Sequence, residues 1–413
     1  PLLKKHGAPL GARSRARVAS AIRRSRDWIR LKSPAAPSDP GGSRLRRAIL
    51  LGIAILAIMI AALALPPLLP GRWGEPRRLT NLNASSKLPR ISGNGEVIAF
   101  QSDAGGEDDI YLINWDGTGL RRIPHPKADD WAPAINWDGS RIVFESRPSA
   151  PEGPGQIFAF DSRSGSLRRL TNNPWPCSRA SLSYDGERVA FMGEVAEFRY
   201  ELFSILWDGS GQRRYELPLI RNAMPFLKGD GSRIAYRGKD RSGAPDIFVV
   251  DWSGSEWRQL TKGPAIDVDP SISADGSLVA FSSVMDGPWE IYLARSDGSD
   301  LRRLTRLNAS SLHPSISGDG SRVAFESNAA GDWDIWIVNS DGSGLARITG
   351  PGTDDLEPSL SHDGRRLVYR ARSGLKSEIW AVSYEGPLRR LGLLSPWIQP
   401  SPGADPPRVE SLG

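Results

Sequence analysis

Asp267, Asp269, His313, Asp355 and Glu357 are the side chains of this 413-residue sequence best suited to chemistry. Carboxylates grouped with one imidazole can ligate a divalent cation or hold a basic peptide. Their placement is regular, because each stands one or three residues ahead of Pro270, Pro314 or Pro358. Asp130 and Arg179 hold equivalent positions in earlier copies, ahead of Pro133 and Ala180. A solvated acidic rim would use the same residues without any ligand.

Other catalytic chemistry finds little support. No Gly-x-Ser-x-Gly elbow occurs. The histidines His6, His125, His313 and His362 are scattered, and none has metal-ligand spacing to another. No phosphate-binding loop is present. Cys177 is the single cysteine, so neither an intramolecular disulfide nor a cysteine metal cluster is possible. No resident cofactor is expected; a divalent cation at the acidic positions is the one alternative.

The elements that position these residues follow from a repeat. A pattern close to Pro-x-Ile-Ser-x-Asp-Gly-x-x-Val-Ala-Phe, then Asp-Ile-Tyr, Asp-Gly-Ser-Gly and Leu-Arg-Arg-Leu-Thr, occurs seven times. Its first glycines are Gly95, Gly139, Gly186, Gly231, Gly276, Gly320 and Gly364, spaced by 44, 47, 45, 45, 44 and 44 residues. A period near 45 with four short strands per copy predicts an all-β, seven-bladed β-propeller of four-stranded antiparallel blades. In the sixth copy Pro314–Ser317, Ser321–Phe325 and Asp334–Val338 read as strands, and Arg347–Thr349 supplies a short fourth. Asp319-Gly320 and Asp341-Gly342 are the turns.

What recurs in every copy is blade construction. Phe100, Phe144, Phe191, Tyr236, Phe281, Phe325 and Tyr369 are expected as core between blades. The acids before the third strands, Asp109, Asp246, Glu290, Asp334 and Glu378, are expected to accept local backbone hydrogen bonds. The arginine pairs, such as Arg302-Arg303, are expected to keep blade edges from pairing. The fourth-strand motif appears eight times, and either terminal copy could close the ring.

A propeller offers the mouth of its central channel as a binding site. Just ahead of the repeated proline stand Leu88, Ala132, Arg179, Met224, Asp269, His313 and Glu357. Two residues earlier come Ser86, Asp130, Cys177, Asn222, Asp267, Ser311 and Asp355. Strand alternation puts both sets on one face, so Asp130, Arg179, Asp267, Asp269, His313, Asp355 and Glu357 are the expected channel-mouth site.

The net charge of +6 divides unevenly. Residues 1–47 hold 13 Lys and Arg against Asp27 and Asp39, which leaves −5 for the rest. The arginines beyond the tail are spread around the repeats, so nucleic acid is not expected as a partner. The tail reads as cytoplasmic and partly disordered. Residues 48–69 read as one transmembrane helix, because 48–65 lack charged or strongly polar side chains and Pro66 and Pro67 follow; the alternative is a signal peptide cleaved near Ala62-Leu63-Ala64. Residues 70–76 read as a linker, 77–392 as the propeller and 393–413 as a C-terminal tail.

The phrases Ser317-Gly318-Asp319-Gly320-Ser321-Arg322-Val323-Ala324-Phe325 and Asp332-Trp333-Asp334-Ile335-Trp336 resemble the TolB-type, WD-like β-propeller repeat. The resemblance covers about residues 77–392. It implies a periplasmic or extracellular propeller that binds other proteins of the cell envelope. TolB itself has six blades and a separate N-terminal α/β domain, whereas this chain has seven copies. The expectation is a single-pass membrane protein whose external propeller binds a protein or envelope polymer at the channel mouth. The alternative is a propeller enzyme that acts on a glycan or peptide there.

Overall fold

Residues 71–386, apart from 126–127, 149–152, 218–220 and 240–242, are described by the structure, a computed structural model. The tail 1–47, the segment 48–69 and the tail 393–413 lie outside them. Among the described residues no helix is long and apolar enough to cross a membrane.

The described residues form seven antiparallel sheets, one per repeat. The first blade runs Ser86–Ile91, Val97–Ser102, Asp109–Asn114 and Arg121–Arg122, each strand paired with the next. The inner strands of the other six are Ala128–Ile135, Cys177–Leu182, Arg221–Phe226, Asp267–Ile272, Ser311–Ile316 and Asp354–Leu360. Each inner strand neighbours the next, and the seventh neighbours the first, so the ring is closed. Asp-Gly turns with positive φ at glycine, as at Gly320 (φ 71°), make the reversals that alternating strands need.

The N-terminal end closes this ring. Arg77–Arg78 pairs with Ala381 and Trp380 of the seventh blade, as an outer strand from the far end of the chain. Arg72–Trp73, within the expected linker, also joins this blade, against Glu385 and Tyr384. Trp73 has a reason to be there, since its ring meets Tyr384 edge-on at 5.7 Å.

Blades adhere through the repeated aromatics. Phe100, Phe144, Phe191, Tyr236, Phe281 and Phe325 are fully buried, and Tyr369 nearly so. Each packs on the preceding blade: Phe325 with Ala280 and Ile291 of the fifth, Phe100 with Val368 and Ile379 of the seventh. Burying such a ring contributes about 1.5–3 kcal/mol.

The repeated acid and the Leu-Thr motif form one device. Thr171, Thr261, Thr305, Thr349 and Thr80 accept, through Oγ1, the backbone N–H of Ile157, Ile247, Ile291, Ile335 and Ile379 at 2.9–3.0 Å. Each hydroxyl donates to the residue just before that isoleucine: Gln156, Asp246, Glu290, Asp334 or Glu378. Fourth-strand arginines complete it, with Arg303 and Arg347 on Glu290 and Asp334 at 2.7 and 2.8 Å; in the first blade, where Pro124 replaces the threonine, Arg122 alone holds Asp109, at 3.0 Å. These acids therefore satisfy threonine and arginine side chains, and Glu290 also accepts the N–H of Leu307 at 3.0 Å.

Candidate functional site

Every inner strand carries a bulge at the same place. Pairing shifts register between Lys87 and Arg90, between Leu312 and Ser315, and at the equivalent point of the other blades. The residue before the proline sits there in the left-handed region. Leu88, Ala132, Arg179, Met224, Asp269, His313 and Glu357 all have φ between 49° and 54°, or 57° for Glu357. Side chains avoid this region at a cost of about 1–2 kcal/mol, so seven such residues mark a designed feature.

The bulge also sorts the predicted residues. Arg179, Asp269, His313 and Glu357 line an axial cavity of about 870 Å³. Asp130, Asp267 and Asp355 do not line it. They are buried at 0, 1 and 3 % exposure inside their blades. The extra residue breaks strict alternation, so the two sets do not share a face. Asp130 accepts from His125 at 3.0 Å, and Asp355 from the Thr353 hydroxyl at 2.9 Å. Burial raises the pKa of all three carboxyls, that of Asp355 to about 6.

On blades five to seven the rim is a continuous polar line. His313 Nδ1 lies 2.8 Å from Glu326 Oε1, and Nε2 lies 3.5 Å from Asp269 Oδ2. Glu326 Oε2 accepts the N–H of Glu357 at 2.9 Å. Glu357 in turn accepts the N–H of Leu88 at 2.6 Å and pairs with Arg370 at 3.2 Å. Burial works against a charged His313, but the Glu326 hydrogen bond and the charges of Glu326, Asp269 and Glu357 outweigh it and lift the imidazole pKa to about 9. The ring is thus cationic at neutral pH. Among the described residues no group of three or more His, Cys, Asp or Glu is arranged to hold a metal ion.

The opposite wall is apolar and basic. Leu88, Trp131, Met192, Met224 and Phe226 line it with Arg147 and Arg179. Arg147 lies over the Trp131 ring at 4.3 Å and pairs with Glu145 at 2.7 Å.

The cavity has a floor. Gly93, Trp137, Tyr184, Gly229, Ala274, Gly318 and His362 occupy one position of the seven repeats. Trp137 N–H donates to Tyr184, Tyr184 to Gly229, Ala274 to Gly318 and His362 to Gly93, at 2.7–2.9 Å, from blade to blade. Three rings meet here: Trp137–His362 at 5.0 Å, Trp137–Tyr184 at 5.5 Å and Tyr184–His362 at 5.8 Å. The last pair joins blades three and seven across the axis. Glycine makes room for them, since a Cβ on Gly318 would come 2.1 Å from His362 Nδ1. The channel is therefore a funnel that opens at the bulged rim.

Glu326 and Arg370 were not among the residues expected from sequence. They follow the repeated aromatic, where the copies read Gln101, Glu145, Met192, Arg237, Ser282, Glu326 and Arg370. This position diverges as much as the one before the proline, and divergence was the available signal.

Comparison with known proteins agrees with this geometry. The profile of the TolB beta propeller domain matches residues 73–214 and 216–394. The chain belongs to the TolB β-propeller family. A protein TolB homolog of Chlorobium luteolum is 28% identical over 123 residues, 30% of this chain. That match spans only 27% of the relative's length. Among solved structures, the oligogalacturonate lyase of Vibrio parahaemolyticus superposes with a TM-score of 0.60 at 12% identity, covering 76% of this chain and 97% of that one. A puromycin-hydrolysing peptidase of Mycobacterium tuberculosis gives 0.59 at 16%, covering 78% and 56%. At these identities the two structures show that this TolB-family propeller shares their fold, and nothing of their chemistry.

Proposed function

We propose that the protein is a membrane-anchored, extracytoplasmic binding module whose axial funnel receives an extended segment of a protein or envelope polymer. The observation that carries this reading is the funnel itself. It is closed below, open above, and lined where the seven repeats diverge. Repeated residues build the scaffold, whereas Arg179, Asp269, His313, Glu326 and Glu357 differ from their counterparts and converge on one space of about 870 Å³. That volume and its mixed walls suit a ligand site. The uncharged run 48–65 beside a strongly basic tail supports the anchor.

The test places a photo-crosslinking amino acid at Met224, inside the funnel, and separately at Leu375, which is 98% exposed on a seventh-blade turn. The full chain is irradiated in envelope extract. Adducts at Met224 that are absent at Leu375, and that compete with unlabelled chain, are expected. Equal labelling at both sites would overturn the funnel as the binding site.

A further inference from the structure

Lys228 occupies a position that is serine in five of the other six repeats: Ser92, Ser183, Ser273, Ser317 and Ser361. The sixth has Asn136. In each of these the side-chain oxygen accepts the N–H five residues on, at 2.9–3.1 Å, and holds the Asp-Gly turn. An ammonium has three donors and no acceptor, so Lys228 cannot do this. Its Nζ instead donates to the carbonyl oxygen of Ile316, two blades away.

Arg90 is the second cation of this depth. It lines the same cavity, and its Nη1 donates to the Pro89 carbonyl at 3.0 Å. Neither Arg90 nor Lys228 makes an ion pair among the described residues. Burial, then the charge of Arg90, pulls the Lys228 pKa down to about 8, against the opposing pull of Asp319. Burial also lowers that of Arg90, with Arg179 adding to it and Glu357 opposing. Asp319 is already held by Ser317 at 2.6 Å and by Ser321. The funnel's closed end thus concentrates desolvated positive charge with unused donors.

We infer that the closed end of the funnel is an anion subsite, in which the Arg90 guanidinium and the Lys228 ammonium receive the carboxylate of an incoming peptide end. This rests on the proposed role of the funnel in binding an extended segment. A floor beneath the cations means that only a chain end or a side chain can reach them. Charge-assisted hydrogen bonds from two cations match a carboxylate's two oxygens. The walls above offer Trp131, Met192, Met224 and Phe226 to peptide side chains. The rim carboxylates Asp269 and Glu357 face the more N-terminal part of the peptide, where basic groups would be favoured.

Binding of three pentapeptide pools to the full-length chain tests this: free C-terminal acids, the same peptides amidated, and amidated peptides ending in glutamate. The acids are expected to bind roughly tenfold or more tightly than the amides, the scale of one charge-assisted bond. Lys228→Ser, which installs the residue of the other repeats and keeps the turn, is expected to abolish the difference. Arg90→Gln is expected to reduce it. Rescue of the amides by terminal glutamate would assign the carboxylate to a side chain rather than to the chain end. Acetate alone is expected to raise the Lys228 pKa, read by NMR of the 13C-methylated chain. Equal affinity for acids and amides, or undiminished discrimination in Lys228→Ser, overturns the subsite while the funnel stands. Failure of wild-type chain to bind any pool also overturns the subsite, whereas the funnel reading stands or falls separately on the Met224 crosslinks.

Discussion

Glu326 Oε2, on the second strand of the sixth blade, accepts the backbone N–H of Glu357 on the seventh at 2.9 Å. Its other oxygen holds His313 at 2.8 Å. One carboxylate thus fixes both the charge of the rim imidazole and the bulge of the next blade. Glu326→Gln keeps the shape and removes the charge. The His313 pKa is expected to fall from about 9 toward the ordinary 6.5, as read by NMR titration. An unchanged value would show that Glu326 does not govern the ring.

The same shift sets a pH dependence. The folded pKa of His313 lies above its unfolded value, so its stabilisation is complete below about pH 6.5 and is lost as pH rises through 9. Wild type should lose stability relative to His313→Gln across that window. The ring is half-exposed, so screening limits the effect to about 0.5–1 kcal/mol. Denaturant melts at pH 6, 7.5 and 9 would measure it. A difference that grows with pH would contradict the assignment.

Ring closure is tested at Thr80. Its hydroxyl accepts the Ile379 N–H at 2.9 Å and so ties the N-terminal end of the propeller to the last blade. Thr80→Val leaves that buried N–H unpaired, at a cost of about 1–3 kcal/mol. A lowered Tm is expected, and an unchanged one would deny this contact a role in closure.

The floor makes a sharper demand. Gly229 has φ 58°, and a Cβ there would lie 1.8 Å from the Ala274 carbonyl oxygen. Gly229→Ala should destabilise by about 2–4 kcal/mol. Gly350→Ala, with nothing within 4 Å, should change stability by less than about 0.5 kcal/mol. Comparable losses in both variants would mean that the floor is not tightly packed.

Lys228 should lower stability at neutral pH. Its folded pKa of about 8 lies below the unfolded 10.5, so the destabilisation is full below pH 8 and fades as pH rises to 10.5. Lys228→Ser is expected to gain about 1–2 kcal/mol at pH 7, and less at pH 10. Chemical denaturation at the two pH values provides the measurement.

The propeller and its aromatic core were legible in the sequence, because seven near-identical copies make Phe325 or Tyr369 predictable from any one of them. The rim was legible in part. Asp269, His313 and Glu357 converge as expected, but Asp267 and Asp355 turn inward, because a one-residue bulge cannot be seen in a pattern read as regular alternation. Arg370 and Glu326 lie about 13 residues beyond the residues they hold, so local spacing could not connect them. The floor depends on Trp137, Tyr184 and His362 from three separate blades, and only the closed ring brings them together. The acids before the third strands were expected to serve structure. Their partners, a threonine and an arginine 13 to 15 residues on, became visible only once the fourth strand was placed.

The funnel as the binding site is tested most directly at Ala132. Its φ of 50° is already shared by leucine, methionine, arginine and histidine in sister blades, so Ala132→Trp fits the backbone and fills the mouth. Affinity of the full chain for a pool of unstructured peptides, measured beside wild type at equal Tm, should fall at least about tenfold. Undiminished binding by Ala132→Trp would contradict the account.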